Sequence, residues 1–342
     1  MVETVDRTCR DILEHPDCPF GGITVAWGGD FQQTLPVVPR GNKEEIVGAS
    51  IQRSPLWRHV KVLHLTQNMR VDPQDPQSAQ FAQWLCDVGQ GNNLPLDNSL
   101  TLPEHMICGP QISDLIATIY PNIGTGEALQ DKYFLEHAIP CPRNMKVDEI
   151  NAEVLKVFPG IERLYSSADS VKGAEDGNMY PVEYLNSLNM GGLPPSQLCL
   201  KPGVVLMLLR NLDLGRGLCN GTRLCLINMT HRVLFVRIIS GSFAGQTAFI
   251  PRITVSPSSE QLPFELQRRQ FPVRLAFAMT INKSQGQSLG TVGIDLRYPV
   301  FSHGQFYVAV SRGTNWGRVH VLLGEENKTS NIVFKEVLLK PA

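Results

Sequence analysis

The chain has 342 residues, a formal net charge of −1, 42% hydrophobic and 18% charged residues. That is enough for two modest domains with their own cores. It leaves no global basic field, so any nucleic-acid contact must come from a local track of Lys and Arg. The eight cysteines are scattered without a Cys-x-x-Cys pair, which argues against a zinc ribbon and against a disulfide framework. His15, His59, His64, His105, His137, His231 and His320 are dispersed, so no metal site is expected within the chain. No apolar run approaches the roughly 20 residues of a membrane span. The start shows no basic segment followed by an apolar stretch, so no signal peptide is read and an intracellular protein is expected.

In chain order, Val2 to about Glu14 reads as a helix, with Val2, Val5, Cys9, Ile12 and Leu13 on one face. A chain that opens in mid-helix reads as truncated. Ile23 to Trp27 reads as a buried parallel strand, and Gly28-Gly29-Asp30 leaves its C-terminal edge, where open α/β sheets place ligands. Val60 to Leu65 is a second strand candidate. Ser78 to Val88 is a helix, and Gly89 to Pro110 a loop. Tyr133 to Ile139 alternates like a strand, and Asp148 to Phe158 is helical with Asp148 as its cap. Val171 to Ser196 reads as a connecting loop. Val204–Leu209, Arg223–Asn228, Val233–Ile239 and Thr247–Ile250 are short β-rich runs with turns at Asn220-Gly221, Ser240-Gly241 and Ala244-Gly245, the texture of a small barrel or meander. Arg268-Arg269 reads as a solvated pair or a basic touchpoint. Phe271 to Ala278 is strand-like, and α/β texture returns after it.

Four segments carry candidate chemistry. Gly28 to Pro36 offers glycines that let backbone approach a ligand and the Gln32-Gln33 pair, whose amides can orient a water or meet a phosphate. Gly-Gly-Asp is also common turn chemistry, so the segment reads as a plain strand-end turn as well. Asn68-Met69-Arg70 puts a guanidinium fork at a strand end, or simply a surface ion pair. Ala278 to Gln287 ends a strand in a turn rich in hydroxyl, amide and ammonium donors, suited to phosphodiester oxygens or to an ordinary helix start. His303 to Gly313 places Phe306, Val310 and Tyr307 on a buried stripe with Arg312 at the helix end, where it could reach a γ-phosphate or complement the helix dipole. No Gly-x-Ser-x-Gly elbow is present. No Gly-x-x-x-x-Gly-Lys-Ser/Thr phosphate loop occurs, nor an apolar strand ending in Asp-Glu.

These segments, in this order, resemble the PIF-type DNA helicases of superfamily one, relatives of RecD, and within them the branch carried by Helitron transposons. Gly28–Pro36 looks like the third motif, Leu65–Arg70 the fourth, Thr280–Leu289 the fifth and Gln305–Arg312 the sixth. Further likeness runs through Tyr180–Asn186, Leu208–Leu212 and Leu218–Thr222. Asn282 stands where many relatives outside the transposon branch have His. The resemblance implies an α/β fold: residues 1–110 as the C-terminal remnant of a first RecA-like domain, 111–131 as a linker, 132–197 with 271–342 as a complete second RecA-like domain, and 198–270 as an inserted small β-barrel. It implies ATP-dependent 5′-to-3′ translocation on single-stranded DNA coupled to duplex unwinding. Repair, recombination and telomere maintenance are family associations. By the same carry-over, Gly29, Asp30, Gln33, Arg70, Gly286 and Arg312 lie at the nucleotide, with Gln33, Arg70 and Arg312 acting on the γ-phosphate. Thr280, Asn282, Lys283 and Gln285 lie along the DNA, and Asn211, Asn220 and Gly221 shape loops beside it. ATP and Mg²⁺ are the cofactors, with the metal ligands expected upstream of Met1. No membrane partner is expected, and the oligomeric state stays open. The expected address is nuclear, with a mitochondrial one as the alternative. The alternative function is a non-catalytic remnant that binds single-stranded DNA, and a third reading is a product with no stable fold.

Overall fold

The computed structural model describes residues 1–65, 69, 76–92, 94–95, 98–126, 129–172, 180–257, 262–324 and 328–338. The chain divides into two compact units. One comprises Met1–Leu102, Pro299–Trp316 and Glu326–Ala342; the other comprises Pro103–Tyr298 and Gly317–Glu325.

The first unit is mainly helical. Helix Val2–Ile12 forms where its periodicity predicts, but its apolar stripe is not the buried face. Val5, Ile12 and Leu13 are exposed, and the buried residue is Asp6. Its carboxylate accepts from the Phe20 amide at 2.6 Å and from Arg10 Nε at 2.9 Å. The expected strands Ile23–Trp27 and Val60–Leu65 are absent. Both runs are non-strand, with Ile23 at 53% and Leu63 at 79% exposure. A parallel strand exists only on a ladder. The one ladder among the described residues of this unit pairs Ser99–Leu100 with Thr329–Ser330, so neither run has a neighbour there. β-propensity alone does not hold a strand in water. Helix Pro76–Gln90 forms as expected. It packs against helix Gln305–Val310 through Phe81, Trp84, Phe306 and Trp316, with Phe81 and Trp316 ring centroids 5.1 Å apart.

The second unit is built on a four-stranded parallel sheet in the order Ala278–Thr280, His137–Cys141, Thr291–Leu296, Val319–Leu323. Helices Ile112–Ile119 and Asn144–Val157 pack on it. The first of these falls where a linker was expected; Leu115 and Ile119 are fully buried, so the segment belongs to the core. Tyr133 to Glu136 belongs to helix Asp131–Glu136 rather than to a strand, and the strand starts at His137. Tyr133 and Phe134 are adjacent and make their ring contacts from one turn of helix, which a two-residue period would have put on opposite faces. Asp148 is not a cap. The helix begins at Asn144 after Arg143, and Asp148 accepts instead from Asn189 at 3.1 Å.

A five-stranded antiparallel sheet follows, in the order Val273–Leu275, Val205–Leu208, Arg223–Met229, Val233–Ile238, Thr247–Pro251. The four β-rich runs of the sequence are its inner and outer members. No ladder joins its two edge strands among the described residues, so of the small barrel or meander expected, the described sheet has the form of a meander. Phe271 to Ala278 is therefore not one strand. Val273–Leu275 serves this sheet and Ala278–Thr280 the parallel one. The buried Asn151 holds the junction, accepting from the Ala278 amide at 2.9 Å and donating to the Leu275 and Ala278 carbonyls. Two smaller sheets complete the unit: Ile253–Val255, Leu266–Gln270 and Ala168–Val171 in one, Arg163–Ser166 with Gln197–Leu200 in the other. The expected loop Val171–Ser196 contains helix Val182–Ser187. Arg268, expected at the surface, is buried and clamps this region.

Candidate nucleotide-sensing and nucleic-acid sites

In the first unit, Asp30 organises the turn after the Gly28-Gly29 pair. Its Oδ1 accepts from the Gln32 amide at 2.9 Å and its Oδ2 from Gln33 Nε2 at 3.2 Å. The Tyr307 phenol lies close enough to Asp30 to feel its charge. Burial, and then the Asp30 charge, push the Tyr307 phenol up, so it stays a proton donor. Gly304 brings the two segments together. It lies at φ +70°, and a Cβ there would stand 2.4 Å from the Gln32 carbonyl oxygen and 2.6 Å from the Gln33 carbonyl carbon. Gly89 similarly leaves room for the Gln32 side chain and for Tyr307.

His303 is fully buried between the same segments. Its Nδ1 accepts from the Phe334 amide at 2.8 Å, which leaves Nε2 to carry the proton and donate to the Phe31 carbonyl at 2.8 Å. The ring is thereby held neutral. Burial puts its pKa below the ordinary 6.5. Below pH 6.5 the unfolded chain takes up a proton that the folded chain resists, so stability falls as pH falls. Wild-type protein is expected to lose more stability between pH 7.5 and 5.5 than His303→Gln, in urea unfolding at both pH values. Equal losses would remove His303 from that account.

Arg312 is buried, and its guanidinium is turned back on its own helix. Nε donates to the Val308 carbonyl at 2.8 Å and Nη2 to Ser311 Oγ at 2.9 Å. Arg70, with Thr66, Gln67 and Asn68, lies outside the described residues. The first unit thus brings Asp30, Gln33, Tyr307 and His303 together, with Arg312 close enough to act electrostatically on Tyr307. Gly29 sits beside Asp30 with open space around it. In the sequence Tyr307 stands out only as part of a helical stripe, and Gly304 only as a member of the segment His303 to Gly313. Their role appears once the helix is docked, because nothing local marks a tyrosine that meets an aspartate some 270 positions away.

In the second unit, the strand Ala278–Thr280 leads into the short helix Ile281–Ser284 and the turn at Gln285-Gly286, at the C-terminal edge of the parallel sheet. Asn282, Lys283 and Gln285 are exposed. The Lys283 ammonium lies 3.6 Å from Met207 Sδ, and desolvation, then the Arg274 charge, lower its pKa. Gly286 adopts φ +79°, which a side chain would strain. Asn211 and Asn220 meet as well: Asn211 Oδ1 accepts from the Asn220 amide at 2.8 Å. Gly221, at φ +94°, lets that turn close onto the Leu208 carbonyl. Sequence reasoning missed Arg223 in the next strand. It is buried, and its Nη2 donates to the Ala276 carbonyl at 3.0 Å, which ties the antiparallel sheet to the segment leading into Thr280.

The described residues contain no group of three His, Cys, Asp or Glu able to hold a metal ion. The sequence holds no phosphate loop. The residues present suit a terminal phosphate, through amide, hydroxyl and guanidinium donors, but offer no cradle for the inner phosphates of ATP or for Mg²⁺. No chemical step is therefore derived through either.

Residues 1–98 match the model of PIF1-like helicases, and residues 183–229 match that of the 2B domain of DNA helicase Pif1. Among curated relatives, the chain is 40% identical over 328 residues to the ATP-dependent DNA helicase PIF1 of Homo sapiens, covering 94% of this chain and 43% of that protein. It is 27% identical over 327 residues to that of Xenopus laevis, covering 94% and 44%. The chain thus spans less than half the length of these relatives. Among solved structures, it resembles the Pif1 helicase of Candida albicans with a TM-score of 0.61 and 22% identity, covering 98% of this chain and 72% of that one. It resembles Bacteroides Pif1 bound to single-stranded DNA with the same score and identity, covering 99% and 69%. At that identity the likeness speaks for the α/β, RecA-like fold alone. Family models over residues 1–98 and 183–229, with homologues along 94% of the chain, make it similar to the PIF1-like helicases.

Proposed function

We propose that this chain provides the phosphate-sensing and DNA-tracking part of an ATP-dependent DNA helicase that moves 5′ to 3′ on single-stranded DNA, in the manner of the Helitron branch. That activity needs a phosphate loop and Mg²⁺ carboxylates, which the 342 residues do not contain. The observation that carries this reading is the seating of Gly304 on the Gln32 and Gln33 backbone, with Tyr307 on Asp30. It joins the segment that resembles the third motif to the one that resembles the sixth. In this reading Arg312, whose Nε donates to the Val308 carbonyl, is the guanidinium carried by the segment that resembles the sixth motif. Thr280, Asn282, Lys283 and Gln285 face the phosphodiester backbone, and Gly286 leaves room for the close approach of a ligand. Catalysis is phosphoryl transfer to water, aided by positioning and charge. We place the protein in the nucleus.

The lack of a phosphate loop in the sequence favours a second reading, a non-catalytic single-strand-binding remnant. Purified protein separates the two. DNA-stimulated ATP hydrolysis that Arg312→Ala abolishes supports the motor, whereas binding without turnover supports the remnant. In either case Lys283→Ala should weaken single-stranded DNA binding and flatten its salt dependence by about one ion. Unchanged affinity and slope would refute the track.

A further inference from the structure

Three adjacent strands of the parallel sheet end in turns at the same edge. Thr280 stands opposite Cys141, so the turn starting at Ile281 and the one starting at Pro142 emerge side by side. Val292 stands opposite Ala138 on the other flank of His137–Cys141. The strand Thr291–Leu296 then runs on to Arg297 and Tyr298 at that edge. Neighbouring strands lie about 4.8 Å apart. Asn282 and Lys283, then Arg143 and Asn144, then Tyr298 therefore form a row along the sheet edge.

The third place in the row is an aromatic ring between cations. Tyr298 is 44% exposed. The Arg143 guanidinium lies 5.5 Å from its ring centroid and the Lys146 ammonium 4.8 Å. Lys146 is paired with Glu149, which also accepts from Arg297 at 2.9 Å. Arg143 is exposed and has no carboxylate partner among the described residues. The row is continuous in contact as well as in order. Arg274, whose charge acts on Lys283, donates to Asn144 Oδ1 at 3.4 Å. An exposed ring with uncommitted positive charge beside it, in line with a phosphate-facing turn, is the arrangement that holds an unpaired base by its face and its phosphate by a cation.

We propose that Tyr298, with Arg143 and Lys146, forms a base-stacking subsite for single-stranded nucleic acid, one that continues the Thr280–Gln285 track across the sheet edge; this rests on the single-strand reading above. Tyr298 stacks the base and Arg143 meets the adjoining phosphate. The pairing of Lys146 with Glu149 leaves it a minor role.

The test compares the affinity of the purified full chain for a short oligothymidylate and for an abasic strand of equal length. Wild type should prefer the thymidylate. Tyr298→Leu should bind it about fivefold or more weakly and lose the preference, while Tyr298→Trp should keep both. Arg143→Ala should weaken the two strands alike and lower the salt slope. If Lys283→Ala weakens binding while Tyr298→Leu binds and discriminates as wild type does, the subsite is overturned and the track stands. If wild type binds neither strand, both fall. Lost binding by Tyr298→Leu together with lost binding by Tyr298→Trp would point to a packing role and would also overturn the subsite.

Discussion

Replacing Asp169 with Ala is expected to destabilise the protein by about 3–5 kcal/mol, because it leaves a buried guanidinium without its counter-charge. Asp169 and Arg268 stand directly opposite each other on antiparallel strands, and their side chains are 0% and 1% exposed. The carboxylate accepts from Arg268 Nε at 3.0 Å and Nη2 at 2.7 Å. The remaining donors reach the Leu185, Leu188 and Pro194 carbonyls at 2.9 to 3.1 Å. One side chain thus fastens helix Val182–Ser187 and the chain after it onto the three-stranded sheet. It does so over a core of Leu185, Leu193, Val255 and Leu266. Arg268→Met should cost a similar amount, since it strands the carboxylate and three carbonyls. The double change Asp169→Leu with Arg268→Met should recover only part, because the carbonyls stay unpaired. Urea unfolding of the three variants measures this. Hydrogen exchange should also rise across residues 182–194, where the clamp acts. Single variants within about 1 kcal/mol of wild type would show that the pair is not the anchor described.

Gly304→Ala is expected to disable the first unit. The left-handed backbone at φ +70° costs a residue with a Cβ about 1–2 kcal/mol. Overpacking adds about 1–3 kcal/mol, and here the Cβ meets main chain at Gln32 and Gln33, which cannot rotate away as a side chain would. The cheapest relief is to lift helix Gln305–Val310 off the Asp30 turn, which carries Tyr307 away from Asp30. Two readouts should move together: a lower unfolding midpoint, and loss of any DNA-stimulated ATP hydrolysis in a chain that carries a phosphate loop. Tyr307→Phe is the milder companion, removing the hydroxyl beside Asp30 without the clash. A Gly304→Ala protein as stable and as active as wild type would mean that this close approach is not needed.

Local patterns were legible where local physics decides. Helix Pro76–Gln90 and the antiparallel runs 205–208, 223–229, 233–238 and 247–251 follow from periodicity and from glycine turns such as Gly221 and Gly241 at positive φ. The turn after Thr280 was legible because polar residues follow an apolar strand. Two strands failed in the first unit because Ile23–Trp27 and Val60–Leu65 have the right residues but no ladder. Arg268 was misread because a charged pair looks solvated until its partner, some hundred residues away, is in place.

The sequence by itself determined the resemblance to PIF-type helicases, through the order of its motif-like segments, and the presence of residue types suited to phosphate and to single strands. Tertiary structure alone decided which of those residues meet. It set Gly304 against Gln32, turned Arg312 onto Val308, buried Arg268 on Asp169 and aligned Lys283, Arg143 and Tyr298 along one sheet edge. The physical reason is that contacts between distant residues depend on register and docking, which burial of the whole surface fixes and no short window contains.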